Sequence, residues 1–266
     1  MALRLEVITR RPTTAEVRPT PLLFVHGAWH GAWCWDVHFL PYFAQQGYMA
    51  HALSLRGHGS SENNKSLRFT RIADYVEDMA QVARGLDKPP VLIGHSMGGF
   101  VVQKYLERHD APGGVLMASV PPTGTLPALL RYAGRHPLTL LKNTLTLSLR
   151  YTVSTPELVR DAFFSADMPA EKVRAYHERM QDESFTAIVL DATALNLVKP
   201  QQIKPPVLVL GAANDTIFTP DEIEATARAY HTKAQIFPNM AHDMMLEAGW
   251  QGVANTVLAW LREREL

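Results

Sequence analysis

Short, uninterrupted apolar runs recur along this chain, each closed by glycine or a polar turn and followed by a segment with helical spacing. Pro21-Leu22-Leu23-Phe24-Val25, Val91-Leu92-Ile93, Val115-Leu116-Met117-Ala118 and Val207-Leu208-Val209-Leu210 are such runs, and residues 48–55 predict a further strand. Continuous hydrophobicity over so few residues predicts strands buried on both faces, as in a parallel sheet. Residues 3–8 and 15–18 predict two more short strands around a turn at 11–14, and 234–237 a last one. Helical spacing predicts helices over 35–46, 99–109, 220–230 and 250–261. A clearer one follows Thr70 as N-cap, with Ile72, Tyr75, Val76, Met79, Val82 and Leu86 on one face. Pro89-Pro90 and Pro205-Pro206 forbid helix just before two of the strands.

The alternation stops between residues 123 and 200, where the pattern is helical throughout. Thr155-Pro156 pairs a capping side chain with proline at the first helical position, residues 167–169 form a second start, and 183–198 a third helix. The prediction is an α/β architecture: a mostly parallel central sheet with helices on both faces. Residues 1–122 and 201–266 make the core, and 123–200 a helical cap. Ligands of such sheets bind beyond the carboxyl ends of the strands. His26-Gly27, the Arg56 loop, Ser96, Asp215 and His242 all follow strand ends.

Composition narrows the partners. Twenty-six basic and 26 acidic side chains balance in 266 residues, with no block of like charge, so nothing points to nucleic acid or an anionic membrane. The single cysteine, Cys34, forms no intrachain disulfide and reads as a buried apolar residue. The first residues lack the apolar run of a signal peptide. The leucine-rich stretch 126–149 is interrupted by Arg131, Arg135, His136, Pro137 and Lys142, so no integral membrane segment is expected and the chain reads as cytoplasmic. Metal-ligand spacings and phosphate-cradling glycine loops are missing, so no metal or organic cofactor is expected. Oligomeric state is left open.

Gly94-His95-Ser96-Met97-Gly98 joins an apolar strand directly to a helix. A sharp strand-to-helix turn strains the serine backbone and leaves no room for side chains two residues away, which accounts for Gly94 and Gly98. The same turn holds the hydroxyl at a helix N-terminus, where N–H groups favour developing negative charge. Ser96 is therefore the candidate nucleophile, and the Met97 N–H the first candidate oxyanion donor. The bland alternative is a glycine-rich turn whose serine merely caps a helix.

In these landmarks the chain resembles the α/β-hydrolase superfamily over nearly its whole length: His26-Gly27, Arg56-Gly57-His58-Gly59-Ser60-Ser61, the elbow, Asp215 and His242, in that order. The stretch His26-Gly27-Ala28-Trp29-His30-Gly31-Ala32-Trp33-Cys34-Trp35 is similar to the plant methyl-esterase and hydroxynitrile-lyase branch. The resemblance implies that the Ala28 N–H is the second oxyanion donor, that Gly27 leaves room for the turn and that His26 braces it. It also implies His242, between the last strand and last helix, as general base. Asp215, just past the strand at 207–210, is implied as its orienting carboxylate, in preference to Asp221 and Asp243. One departure is Ser54, where the family often has Asp before Leu55-Arg56-Gly57.

These roles describe a serine esterase working through an acyl-enzyme. Trp29 is expected at the pocket wall, and Leu126, Leu129, Leu141 and Leu145 in the roof, so the expected partner is a small to medium hydrophobic ester. Rivals share the fold: a hydroxynitrile lyase, a carbon–carbon bond hydrolase, or a non-catalytic small-molecule receptor. The lyase branch usually has Thr at the Gly27 position and Lys shortly after the histidine, where this chain has Asp243-Met244-Met245.

Overall fold

The computed structural model describes residues 2–266. Seven strands form one sheet: β1 (Val7–Arg10), β2 (Leu22–Val25), β3 (Ala50–Leu53), β4 (Val91–His95), β5 (Gly114–Met117), β6 (Val207–Ala212) and β7 (Ala234–Phe237). Their spatial order is β1-β3-β2-β4-β5-β6-β7. Only edge strand β1 runs antiparallel, on β3.

The apolar runs are explained by the two faces they serve. In β2, Leu22 and Phe24 enter one core, with Trp35, Phe39, Phe43 and the last helix; Leu23 and Val25 enter the other, with Tyr75, Met79 and Phe100. β4 divides likewise, Val91 and Ile93 against Leu92, and β5 places Val115 and Met117 opposite Leu116. Period-two side chains with apolar partners on both sides leave no polar face, so alternation is absent from the sequence.

The helices are α1 (Trp33–Asp36), α2 (Phe39–Gln45), α3 (Ile72–Arg84), α4 (Met97–Leu106), α5 (Leu126–Arg135), α6 (Pro137–Thr146), α7 (Pro156–Phe163), α8 (Ala170–His177), α9 (Pro220–Ala229) and α10 (Trp250–Arg262). The expected helix over 35–46 is two short helices, and residues 15–18 are no strand. Arg18 N–H instead bonds the Gly47 carbonyl at 2.8 Å. Thr70 does not cap α3. Arg71 occupies the N-cap, its N–H bonded to the Asp74 carboxylate at 2.6 Å. The Ile72 N–H goes to Asp191, 119 residues away, at 3.0 Å. No local signal reveals such a cap.

Between β5 and β6 the described residues contain helices and no strand. Thr155 caps α7 through Leu158 N–H, as expected from Thr155-Pro156. The expected helix over 183–198 is a π-helical segment, Thr186–Leu195. Polar bonds, two of them buried, fasten this region to α3 and the loops before it. Tyr75 donates to Glu183 at 2.6 Å, Ser184 to the Thr70 carbonyl at 2.6 Å, and Gly59 N–H to Gln181 at 2.6 Å. Among the described residues no helix is long and apolar enough to cross a membrane.

Candidate active site

Ser96 stands between β4 and α4 with φ 53° and ψ −119°. Left-handed backbone at a serine is strained, and the surroundings enforce it. Its N–H bonds the Met117 carbonyl at 3.0 Å and its carbonyl accepts from Val120 at 3.2 Å. A Cβ on Gly94 would lie 2.4 Å from the Gly98 carbonyl oxygen, and one on Gly98 2.3 Å from that of Val25, so both must be glycine. Gly27 is constrained from the other side: a Cβ there would stand 3.0 Å from the Ser96 Cβ.

Neither Met97 N–H nor Ala28 N–H has an acceptor among the described residues, and both residues line the cavity that contains Ser96. His26 explains how the Ala28 N–H is held. Its Nδ1 donates to the Gly27 carbonyl at 2.8 Å, and its Nε2 accepts from Leu55 N–H at 3.0 Å. That pair of bonds fixes one neutral tautomer. Burial and the neighbouring His58 keep the His26 ring well below the usual histidine pKa. The Gly27 carbonyl and the Ala28 N–H belong to one trans peptide and point opposite ways. Anchoring the carbonyl on His26 thus directs the N–H away from it. Ser54, the departure noted above, accepts from Ala32 N–H at 2.8 Å and donates to Glu6, so Glu6 brings a carboxylate to this loop.

The Asp215 carboxylate is spent on two tasks. One oxygen accepts from the Ile217 and Phe218 N–H groups at 2.8 and 3.1 Å; the other accepts from His242 Nδ1 at 2.8 Å. Thr219 caps α9, so Asp215 is not that helix's cap. His242 is 1% exposed, and its Nε2 has no hydrogen-bond partner in the protein, the Ser96 hydroxyl included. In unliganded sites this contact is commonly long and tightens with substrate bound.

Behind His242 lies a second buried group that sequence reasoning missed. His30 Nδ1 bonds the Ala28 carbonyl at 2.8 Å and Nε2 bonds Asp243 at 3.0 Å. Both partners accept, so the ring carries both protons. Burial alone would depress His30, but the Asp243 charge outweighs it and the pKa is raised. Burial would raise Asp243, and His30 instead holds it below the usual range. This imidazolium–carboxylate pair links the Ala28 loop to the residue after His242. His95 turns away from the cavity and bonds the His242 carbonyl at 2.9 Å. Burial, with His242 alongside, lowers His95 to about 3. His95, His242 and Asp243 are close enough to suggest a metal centre. However, His95 Nε2 is bonded to a carbonyl, His242 Nδ1 to Asp215 and Asp243 to His30, and the residues are fully buried. His95 and Asp243 are better explained as the scaffold behind His242.

The cavity over Ser96 is mostly apolar. Trp29 and Leu129 line it as expected; Leu126, Leu141 and Leu145 do not. Those three are 49%, 53% and 76% exposed and face outward. Composition marks the helices, but their phase is set by tertiary packing: α5 presents Ala128, Leu129 and Tyr132 inward, with Thr125 just before it, and α6 presents Leu140 and Asn143. The buried polar Asn143, bonded to Thr152 at 2.9 Å, marks the inward stripe of α6. Phe163 and Phe218, also in the wall, lie 6.0 and 5.7 Å from the His242 ring. A separate outer cleft, lined by Arg160, Phe164 and Arg174, shares only Thr216 with this cavity.

The model of the Alpha/beta hydrolase family matches residues 22–256. Methylesterase 2 of Arabidopsis thaliana is 35% identical over 95 residues, 35% of this chain and 36% of that protein. The pyrethroid hydrolase of Sphingobium wenxiniae is 25% identical over 175 residues, 62% of this chain and 61% of that protein. The chain thus matches about a third of the length of the plant methylesterases. An esterase from Thermogutta terrifontis superposes with a TM-score of 0.73 at 18% identity, covering 99% of this chain and 95% of that one, a likeness of fold.

Proposed function

This chain belongs to the alpha/beta hydrolase family, and from that premise we propose that it is a serine hydrolase that cleaves small to medium hydrophobic carboxylic esters. The carrying observation is a strained Ser96 and two unspent N–H groups, Ala28 and Met97, on one cavity, with the buried His242–Asp215 pair at 2.8 Å directly behind its wall residues Phe163 and Phe218. The similarity to Methylesterase 2 over about a third of its length supports ester cleavage. On this reading residues 123–200 are a cap that shapes the cavity.

In the proposed reaction Ser96 Oγ attacks the ester carbonyl as His242 Nε2 takes its proton. The carbonyl oxygen becomes an oxyanion held by the Ala28 and Met97 N–H groups. Asp215, on Nδ1, keeps Nε2 free to accept and stabilises the imidazolium. Collapse breaks the ester bond, His242 protonates the leaving alcohol, and water then hydrolyses the acyl-enzyme by the same route. A fluorophosphonate should label one site, and Ser96→Ala should abolish labelling and lower ester turnover by about a millionfold. Undiminished hydrolysis in Ser96→Ala would refute the proposal.

A further inference from the structure

Apart from Ser96 and Thr216, the cavity's polar side chains Thr125, Tyr132, Arg135, Asn143 and Thr152 lie in the 123–200 region, and most of its other walls are apolar. Thr125 is already spent on the Ile188 carbonyl and Thr193, and Thr216 on the Asp161 carbonyl. Three others differ. Asn143 on α6 gives its amide N–H to Thr152 at 2.9 Å, but its Oδ1 is buried without a partner. Tyr132 on α5 has a buried hydroxyl with no well-formed hydrogen bond, only the Thr139 and Thr152 hydroxyls alongside it. Thr152, in the turn Arg150–Val153, accepts from Asn143 and turns its own proton to the Tyr132 oxygen or to a ligand. Asn143 is 1% exposed, so bulk solvent does not satisfy it. A buried acceptor left unmade is costly, and native structures rarely keep one without a use.

We propose that Tyr132, Asn143 and Thr152 form a polar subsite in the cavity roof that binds a neutral hydroxyl on the substrate, away from the ester being cleaved. A hydroxyl matches the set: its proton goes to Asn143 Oδ1, and its lone pairs accept from Tyr132 or Thr152. Burial raises the Tyr132 pKa, which keeps the phenol a donor. A carboxylate fits less well. Asn143 Oδ1 would repel it, and the nearby Arg135 already has Asp161 at 3.6 Å. This inference rests on the ester-hydrolase reading of the cavity and adds a substrate class to it: hydroxylated esters with an apolar spacer.

The test compares chain-matched methyl alkanoates with methyl ω-hydroxyalkanoates, and alkyl acetates with diol monoacetates. Wild type should favour the hydroxyl member tenfold or more in kcat/KM at one spacer length. Tyr132→Phe, which removes only the oxygen, and Asn143→Leu should each erase most of that preference while activity on the unsubstituted ester persists. Saturation-transfer NMR of the same pairs on Ser96→Ala reads the preference without turnover. Equal or better use of the unsubstituted esters at every length, or a preference that survives both substitutions, overturns the subsite. So does a preference for ω-carboxylates abolished by Arg135→Gln. Normal fluorophosphonate labelling of Ser96 with a flat preference removes the subsite alone, whereas absent labelling and turnover removes the ester-hydrolase reading.

Discussion

His26→Phe offers a direct test of the oxyanion arrangement without touching the proposed nucleophile or base. The substitution deletes the 2.8 Å bond to the Gly27 carbonyl and the 3.0 Å bond from Leu55 N–H in a fully buried site. Two costs follow. The Leu55 N–H loses its acceptor, which should lower stability by about 1–3 kcal/mol. The Gly27–Ala28 peptide loses its main anchor and can turn its N–H out of the cavity. Losing one oxyanion donor costs about 3–4 kcal/mol of transition-state stabilisation. A longer bond from His30 N–H to the Gly27 carbonyl, 3.4 Å, survives, so the lower end of that range is expected. The assay is kcat and KM on a chromogenic ester, well below the variant's melting temperature, beside a denaturant titration. The kcat should fall about a hundredfold with KM little changed. His26→Asn, whose amide can still reach the Gly27 carbonyl, should recover part of kcat without recovering the Leu55 bond. A folded His26→Phe within about threefold of wild-type kcat would refute the claim that His26 holds the Ala28 N–H in place.

Three further outcomes are expected. His30→Gln removes the cation paired with fully buried Asp243 and should cost about 3–5 kcal/mol in denaturant unfolding; adding Asp243→Asn should recover part of it, and additive losses would contradict the pairing. His95 is about 3 when folded against about 6.5 when unfolded, so the unfolded chain binds the extra proton and stability falls as pH drops through that window. His95→Gln should therefore flatten the acid limb of the stability profile, and an unchanged slope would show that another group sets it. Leu129→Ala should reorder kcat/KM across an acyl series by a graded ~1–3 kcal/mol, whereas Leu141→Ala, on the outer surface, should leave the ranking alone. The reverse result would show that the helix phase is wrong.

Much of this protein was legible locally. Continuous apolar runs announced the parallel strands because each run has a core on both sides, and two glycines around Ser96 announced a turn only glycine permits. Proline and threonine at 155–156 placed the start of α7. Tertiary structure decided what separates equivalent local signals. Asp215 and Asp243 were both candidates near His242, and only the fold gives Asp215 to His242 and Asp243 to His30, 213 residues away in sequence. Helical spacing showed that 126–145 is helical but not which stripe faces inward, so three of four expected roof leucines are outside. Asp191 capping α3 follows the same logic. Backbone preference and hydrophobic period act over a few neighbouring residues and survive in the sequence. Helix rotation and buried polar pairing depend on surfaces brought together from distant parts of the chain, and exist only once it has folded.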